Sequence, residues 1–274
     1  MIGDFFSSEV MMAALWPALL IALVASTVSV MVLAHRLSFL TVGVAHASLA
    51  GLGLAAVGGL PLLPVASVVA VAVALLLPLM PTDRGLHHDA ASGMLFAGSM
   101  ALGVLLLATA DRQQVDLFSL LFGNILTVEG GDLLWMEWLA PIVLFLVWWM
   151  GRAWWSIAFD VETATANGLP VRRCRLLLYA VVGVTVILCV KLAGVVMTTG
   201  LLVLPAAIAW FWGRTLLGLW LVSLGAGCTA VVGGLLLSYA RDWPAGASII
   251  MLLCLLFCLS WLFTALRRGW GRAG

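Results

Sequence analysis

His46 is the residue in this chain whose type and position say most about chemistry. It lies ten residues beyond Arg36 on a single apolar run, which places it roughly 15 Å deeper along a helix that rises 1.5 Å per residue. An ionisable side chain near the middle of a bilayer points to function. Neutral imidazole binds zinc readily and suits manganese and iron. A histidine bonded to a neighbouring helix is the other role the position allows. The remaining candidates are plainer. His87, His88 and Asp89 have metal-binding side chains, but they sit in a short connection and read as a surface loop. Asp116 opens the short stretch DLFSLLFGNILT and suits a helix cap. Asp242, before Trp243-Pro244-Ala245-Gly246, is expected to start the last helix, with Pro244 in its first turn. Cys254 and Cys258 share a helix face, and in an apolar run such cysteines behave as small hydrophobes.

The absences bound the function class. No Ser–His–acid arrangement, HExxH or GxSxG occurs, so nucleophilic catalysis and zinc-protease chemistry have no residues to carry them. Lys191 is the only lysine and is followed by Leu. There is no GxxxxGKS/T loop, and the polypeptide is not expected to hydrolyse ATP itself.

A second group of residues points to binding. The interruption from Gly151 to Arg175, GRAWWSIAFDVETATANGLPVRRCR, gathers Arg152, Asp160, Glu162, Arg172, Arg173 and Arg175 in an otherwise apolar chain. Its centre, DVETATANG, reads as a short helix: Asp160 caps it, Glu162 suits its positive end, and Gly168 closes it before Pro170. A short helix bracketed by arginines between membrane spans suits either a docking element for a partner or a simple connecting loop.

The elements that hold these residues follow from composition. Hydrophobic residues make up 64% of the 274 and charged residues 9%, and the mean hydropathy is +1.20. No water-soluble core needs so much apolar surface, so the chain is an all-α polytopic transmembrane bundle, a single domain over 1–274. The 28 glycines and 9 prolines suit closely packed and locally broken helices. A net charge of +1 points to no nucleic-acid partner. MIGDFFSSE has no basic residue ahead of the first apolar run and does not read as a cleaved signal peptide.

Apolar runs at about 11–34, 39–59, 62–80, 92–110, 132–150, 176–190, 192–212, 215–238 and 243–265 are set against the ~20 residues a bilayer requires. The 176–190 run is short and parted from the next only by Lys191. The 116–127 stretch fits a re-entrant or interfacial helix. Eight or nine spans are therefore expected. The arginines place 151–175 and the C-terminus in the cytoplasm and the N-terminus outside. Trp148, Trp149, Trp154 and Trp155 are assigned to an aromatic belt. In GVVMTTGLLVLPAA (194–207), the Gly and Pro residues permit close packing and a local break, and Thr198 and Thr199 can bond freed backbone groups.

Five stretches together resemble the permease subunit of bacterial ATP-binding-cassette importers for zinc, manganese and iron, the ABC-3 class. They are HRLSFLTVGVAHASLAGLGLA (35–55), VDLFSLLFGNIL (115–126), AFDVETATANGLPVRRCRLLL (158–178), VKLAGVVMTTGLLVLPAAIA (190–209) and RDWPAGASIIM (241–251). They keep the family's order from near one end of the chain to near the other. The resemblance implies a multi-pass protein of the bacterial inner membrane that pairs with a second permease copy or a paralogue. It also implies two cytoplasmic ATPase subunits that use the ATP, and an external metal-binding protein. Divalent metal is then the cargo, and no cofactor is expected on this chain. Asp160, Glu162 and Gly168 would lie on the coupling helix that fits the ATPase.

Two departures stand out. The family draws its midplane metal site from an Asp and a His four residues apart. His46 matches, but Val42 stands at the Asp position. The basic residue after the Pro-Ala-Ala helix is displaced, with Trp210, Phe211 and Trp212 preceding Arg214. The metal then passes with fewer ligands from this chain, or a partner supplies them, or the substrate has changed. An ion-coupled secondary carrier is the alternative from another class. Such carriers place several carboxylates at midplane, whereas the acids here fall mainly at helix ends and in loops.

Overall fold

The computed structural model describes residues 9–79, 88–109 and 130–270. Every regular element among them is helical. In order they are α1 (Glu9–Ala34), α2 (Ser38–Gly58), α3 (Leu62–Leu76, continued by a 3-10 turn at Leu77–Leu79), α4 (His88–Thr109), α5 (Gly130–Phe159), α6 (Val161–Ala166), α7 (Val171–Trp212), α8 (Leu216–Arg241) and α9 (Ala245–Trp270). Among the described residues, seven helices are long and apolar enough to cross a membrane, and Pro64–Leu79 and Met197–Trp212 are shorter apolar helices. The all-α polytopic architecture stands. Asp116 and the short helix expected at 116–127 lie outside the described residues, as does His87.

Glycines let the first helices meet backbone to backbone, as expected where apolar lipid gives helices no hydrophobic reason to associate. A Cβ at Gly51 would lie 2.6 Å from the Ala66 Cα on α3, and one at Gly103 on α4 would lie 2.9 Å from the Ala50 nitrogen. α2 is thus held between α3 and α4. A different device joins α1 to α8. The hydroxyls of Ser29 and Ser223 both donate to the Ser26 carbonyl, at 2.8 and 2.7 Å, in a fully buried seam. Gly227 packs directly on Ser26 there.

The element Val171–Trp212 is two helices, not one. Gly194 adopts φ 76°, ψ 166°, a backbone region essentially restricted to glycine. At the start of α7, the Trp154 indole donates to the Cys174 carbonyl at 2.8 Å. At its end, the Trp210 ring lies 6.3 Å from the ring of Trp155. A straight helix would part Cys174 from Trp210 by roughly 54 Å, so the chain doubles back at Gly194. The outgoing arm packs Gly183 against Val71 and Ala74 of α3, and the returning arm packs Gly200 against Ile250 of α9. The sequence put this division at Lys191 and allowed a local break at the Gly and Pro residues of 194–207, and it is the glycine that breaks. Gly194 is the only residue inside α7 with non-helical backbone angles, and the helix continues through Pro205. Thr198 Oγ1 donates to the Gly194 carbonyl at 2.7 Å, satisfying an acceptor at the turn.

Asp242 also differs from expectation. It closes α8 in the left-handed conformation, φ 54°, instead of starting α9. Trp243 N–H returns to the Ser238 carbonyl, and the Pro244 carbonyl takes the Ser248 N–H as α9 begins.

Candidate functional site

Asp160 caps α6 through its side chain. Oδ1 accepts the Glu162 and Thr163 N–H groups at 2.9 and 3.1 Å, and Oδ2 accepts the Thr163 hydroxyl. These bonds, the Thr163 hydroxyl foremost, hold the Asp160 carboxyl below the usual carboxylate range. The cap therefore stays charged throughout neutral and mildly acidic conditions. At the other end Gly168 takes φ +79°, and the N–H groups of Asn167, Gly168 and Leu169 return to the carbonyls of Thr163, Thr165 and Ala164. Only Ala164 of α6 is buried. Val161, Glu162, Thr163, Thr165 and Ala166 face solvent, flanked by the exposed Arg172 and Arg173. A one-turn helix too short to persist alone is thus fixed at both ends and leaves its outer face uncovered.

His46 lies on α2, partly buried. Its Nδ1 is 2.9 Å from the Val42 carbonyl. A carbonyl can only accept, so Nδ1 carries the proton, and in the neutral ring Nε2 keeps a lone pair suited to a metal or a hydrogen-bond donor. Phe96 of α4 meets the ring edge-on at 4.6 Å between centroids. The Val42 side chain offers no ligand. Among the described residues, no group of three or more His, Cys, Asp or Glu side chains gathers to hold a metal. All five cysteines are free.

The tryptophans divide into two kinds. Trp148 and Trp149 are 72% and 64% exposed, as an aromatic belt requires. Trp154 is fully buried, so its assignment to that belt is corrected. Its indole bonds Cys174, and its carbonyl takes the Nε2 proton of His35 at 2.9 Å. Burial foremost, with the neighbouring Arg175 charge, lowers the His35 pKa and favours the neutral ring, while the bond to Trp154 works in the opposite sense. Sequence reasoning assigned His35 no role: it stands beside Arg36 at the edge of an apolar run, and its partner is a distant main-chain carbonyl. At the same end of the bundle, the displaced basic position is filled by aromatics. Phe211 packs on Phe257, Trp212 on Phe263, and Arg267 lies over the Phe263 ring at 4.5 Å.

These features sit on a fold shared with known proteins. The family model of the ABC 3 transport family matches residues 7–264, so the chain belongs to that family. An uncharacterized membrane protein of Synechocystis sp. is 31% identical over 93% of this chain and 91% of its own length. The manganese import system permease protein ScaB of Streptococcus parasanguinis is 26% identical over 93% of this chain and 91% of its own. Among solved structures, PsaBC from Streptococcus pneumoniae in complex with Fab is similar with a TM-score of 0.85 and 27% identity, over 95% of both chains.

Proposed function

We propose that this chain is the membrane permease subunit of an ATP-binding-cassette importer for a divalent transition metal: zinc, manganese or ferrous iron. The observation that carries the reading is α6, a polar helix capped at both ends and exposed along its outer face, set between two membrane helices of a chain in this family. A surface of that kind keeps its shape before a partner arrives, which lowers the ordering cost of docking. Asp160 and Gly168 hold the helix, Glu162 faces the ATPase, and ATP is hydrolysed there.

Counting the two arms of α7 and the short α3 separately gives nine crossings, with α6 and the C-terminus in the cytoplasm and the N-terminus outside. A second permease copy or a paralogue completes the pathway, and an external binding protein delivers the metal. His46 offers Nε2 as a transient ligand, and in a homodimer the second copy supplies another imidazole. A changed cargo within the same family is the second reading. It is favoured by Val42, which gives a hard dication no carboxylate where the family has one.

Purification of the tagged chain in detergent from its native membranes tests the proposal. A permease retains a nucleotide-hydrolysing partner through residues 151–175. A chain that purifies alone and concentrates its solute without nucleotide is a secondary carrier.

A further inference from the structure

We propose that His35 is a positioning residue that ties the ATPase-docking segment to the helix carrying His46. The inference rests on the proposed function for its biological meaning and on three contacts for its physics.

His35 directly follows α1 and opens a tight turn. Arg36 N–H returns to the Leu33 carbonyl at 3.1 Å, and Leu37 N–H to the Val32 carbonyl at 2.8 Å. This is the doubled closure that usually places glycine where Arg36 stands. Arg36 takes φ 57° without being glycine, and such a conformation persists only where surrounding bonds determine it. α2 begins one residue past that turn, at Ser38, and His46 lies eight residues further on. Whatever fixes His35 therefore fixes the base of the helix that presents His46.

His35 is fixed by α5. Its Nε2 proton goes to the Trp154 carbonyl, and the Trp154 indole goes in turn to the Cys174 carbonyl at the start of α7. Trp154 precedes the α6 cap by six residues, and Cys174 follows Pro170 by four. One fully buried side chain thus joins the helix entering the docking segment to the helix leaving it, and one imidazole joins both to the α1–α2 turn. The middle of α5 is exposed, with Trp138, Ile142, Phe145, Trp148 and Trp149 all uncovered, and the helix is held at its inner end, where Gly151 packs on Trp220 and Trp154 and Ile157 are buried. A displacement of α6 by its partner is passed through this bond to the base of α2 as a rigid-body movement, without a flexible linker.

The test uses the full chain, with the ATPase that copurifies with it, in proteoliposomes with the external binding protein supplied. ATP hydrolysis and the uptake of zinc and of manganese are measured together. In His35→Ala the Trp154–Cys174 bond survives, so the ATPase stays bound and active while metal moved per ATP falls about threefold or more. In His35→Gln the amide N–H reaches the same carbonyl, and the ratio returns to within about twofold of wild type. Wild-type metal per ATP in His35→Ala overturns the inference. So does failure of Gln to restore it, and so does a loss of uptake that merely follows loss of ATPase binding or of thermal stability.

Amide hydrogen exchange on the isolated chain in detergent gives a readout independent of the ATPase. His35→Ala must speed exchange across 155–170 and in the first turn of α2, and His35→Gln must reverse it. Unchanged exchange removes the tether. A wild-type chain that holds no ATPase and moves no metal defeats the proposed function instead, and leaves the tether to be judged on exchange alone.

Discussion

The docking segment and the surroundings of His46 are built by opposite means. α6 is short and exposed, and side-chain and backbone hydrogen bonds define both its ends. α2 is long, mostly buried, and set by glycine-mediated backbone contact with α3 and α4, and the side-chain bonds of Thr41, His46 and Ser48 turn back to carbonyls of the helix itself. Under the proposed function the difference follows from what each region would have to do. A surface read by a partner has to hold its form in water, where local hydrogen bonds and caps are the available means. A passage for an ion would have to bind weakly enough to release, and a helix offering one imidazole would meet that need better than a full ligand cage.

The contrast can be broken at its strongest point first. Glu162→Arg reverses the charge on the exposed face of α6, and Gly168→Trp forces a bulky residue into φ +79°. Both are expected to abolish ATPase copurification and metal uptake while membrane insertion, read by protease protection, stays normal. Normal ATPase recruitment by both variants counts heavily against docking through α6. His46→Ala is expected to lower uptake about tenfold or more, the loss of a single ligand being large where few others are present, with ATPase binding unchanged. Wild-type zinc and manganese uptake in that variant removes His46 from the pathway.

Acidification sharpens the comparison further. The folded His35 pKa lies below the ordinary 6.5, so the unfolded chain takes up the proton first. The stabilisation is complete above pH 6.5 and is lost as pH falls towards the folded value. Thermal unfolding in detergent is expected to show a lower midpoint at pH 5.5 than at pH 7.5, and His35→Gln is expected to reduce that dependence. The smallest effect belongs to the cap. Asp160→Ala removes the acceptor for two N–H groups and costs about 1 kcal/mol of helix stability. Amide exchange confined to α6 is its readout.

How much was legible in the sequence depended on how local each determinant was. Asp160, Gly168 and the shape of α6 could be read because a cap and a left-handed closing glycine act within a few residues, and charge is conspicuous in an apolar chain. The course of Val171–Trp212 could not. Periodicity marks a helix by contrast between its faces, and a membrane helix that is apolar all round has no such contrast. Lys191 was therefore a reasonable marker for a division that falls at Gly194. Asp242 was misplaced for a related reason: Asp suits the start of a helix, and its left-handed closing role depends on the Ser238 carbonyl reached by Trp243. The His35–Trp154 bond was further from view, since its acceptor is a main-chain carbonyl 119 positions away that leaves no trace in residue type. Trp148 and Trp154 look alike in sequence, and only packing separates them.

The reversal at Gly194 bears on how the protein is made. Two arms joined by a single residue leave no loop for the first arm to be released into lipid while the second is still being synthesised. On the nine-span reading they are expected to enter the bilayer as a pair, and a side chain at position 194, where φ is 76°, is expected to disturb that pairing.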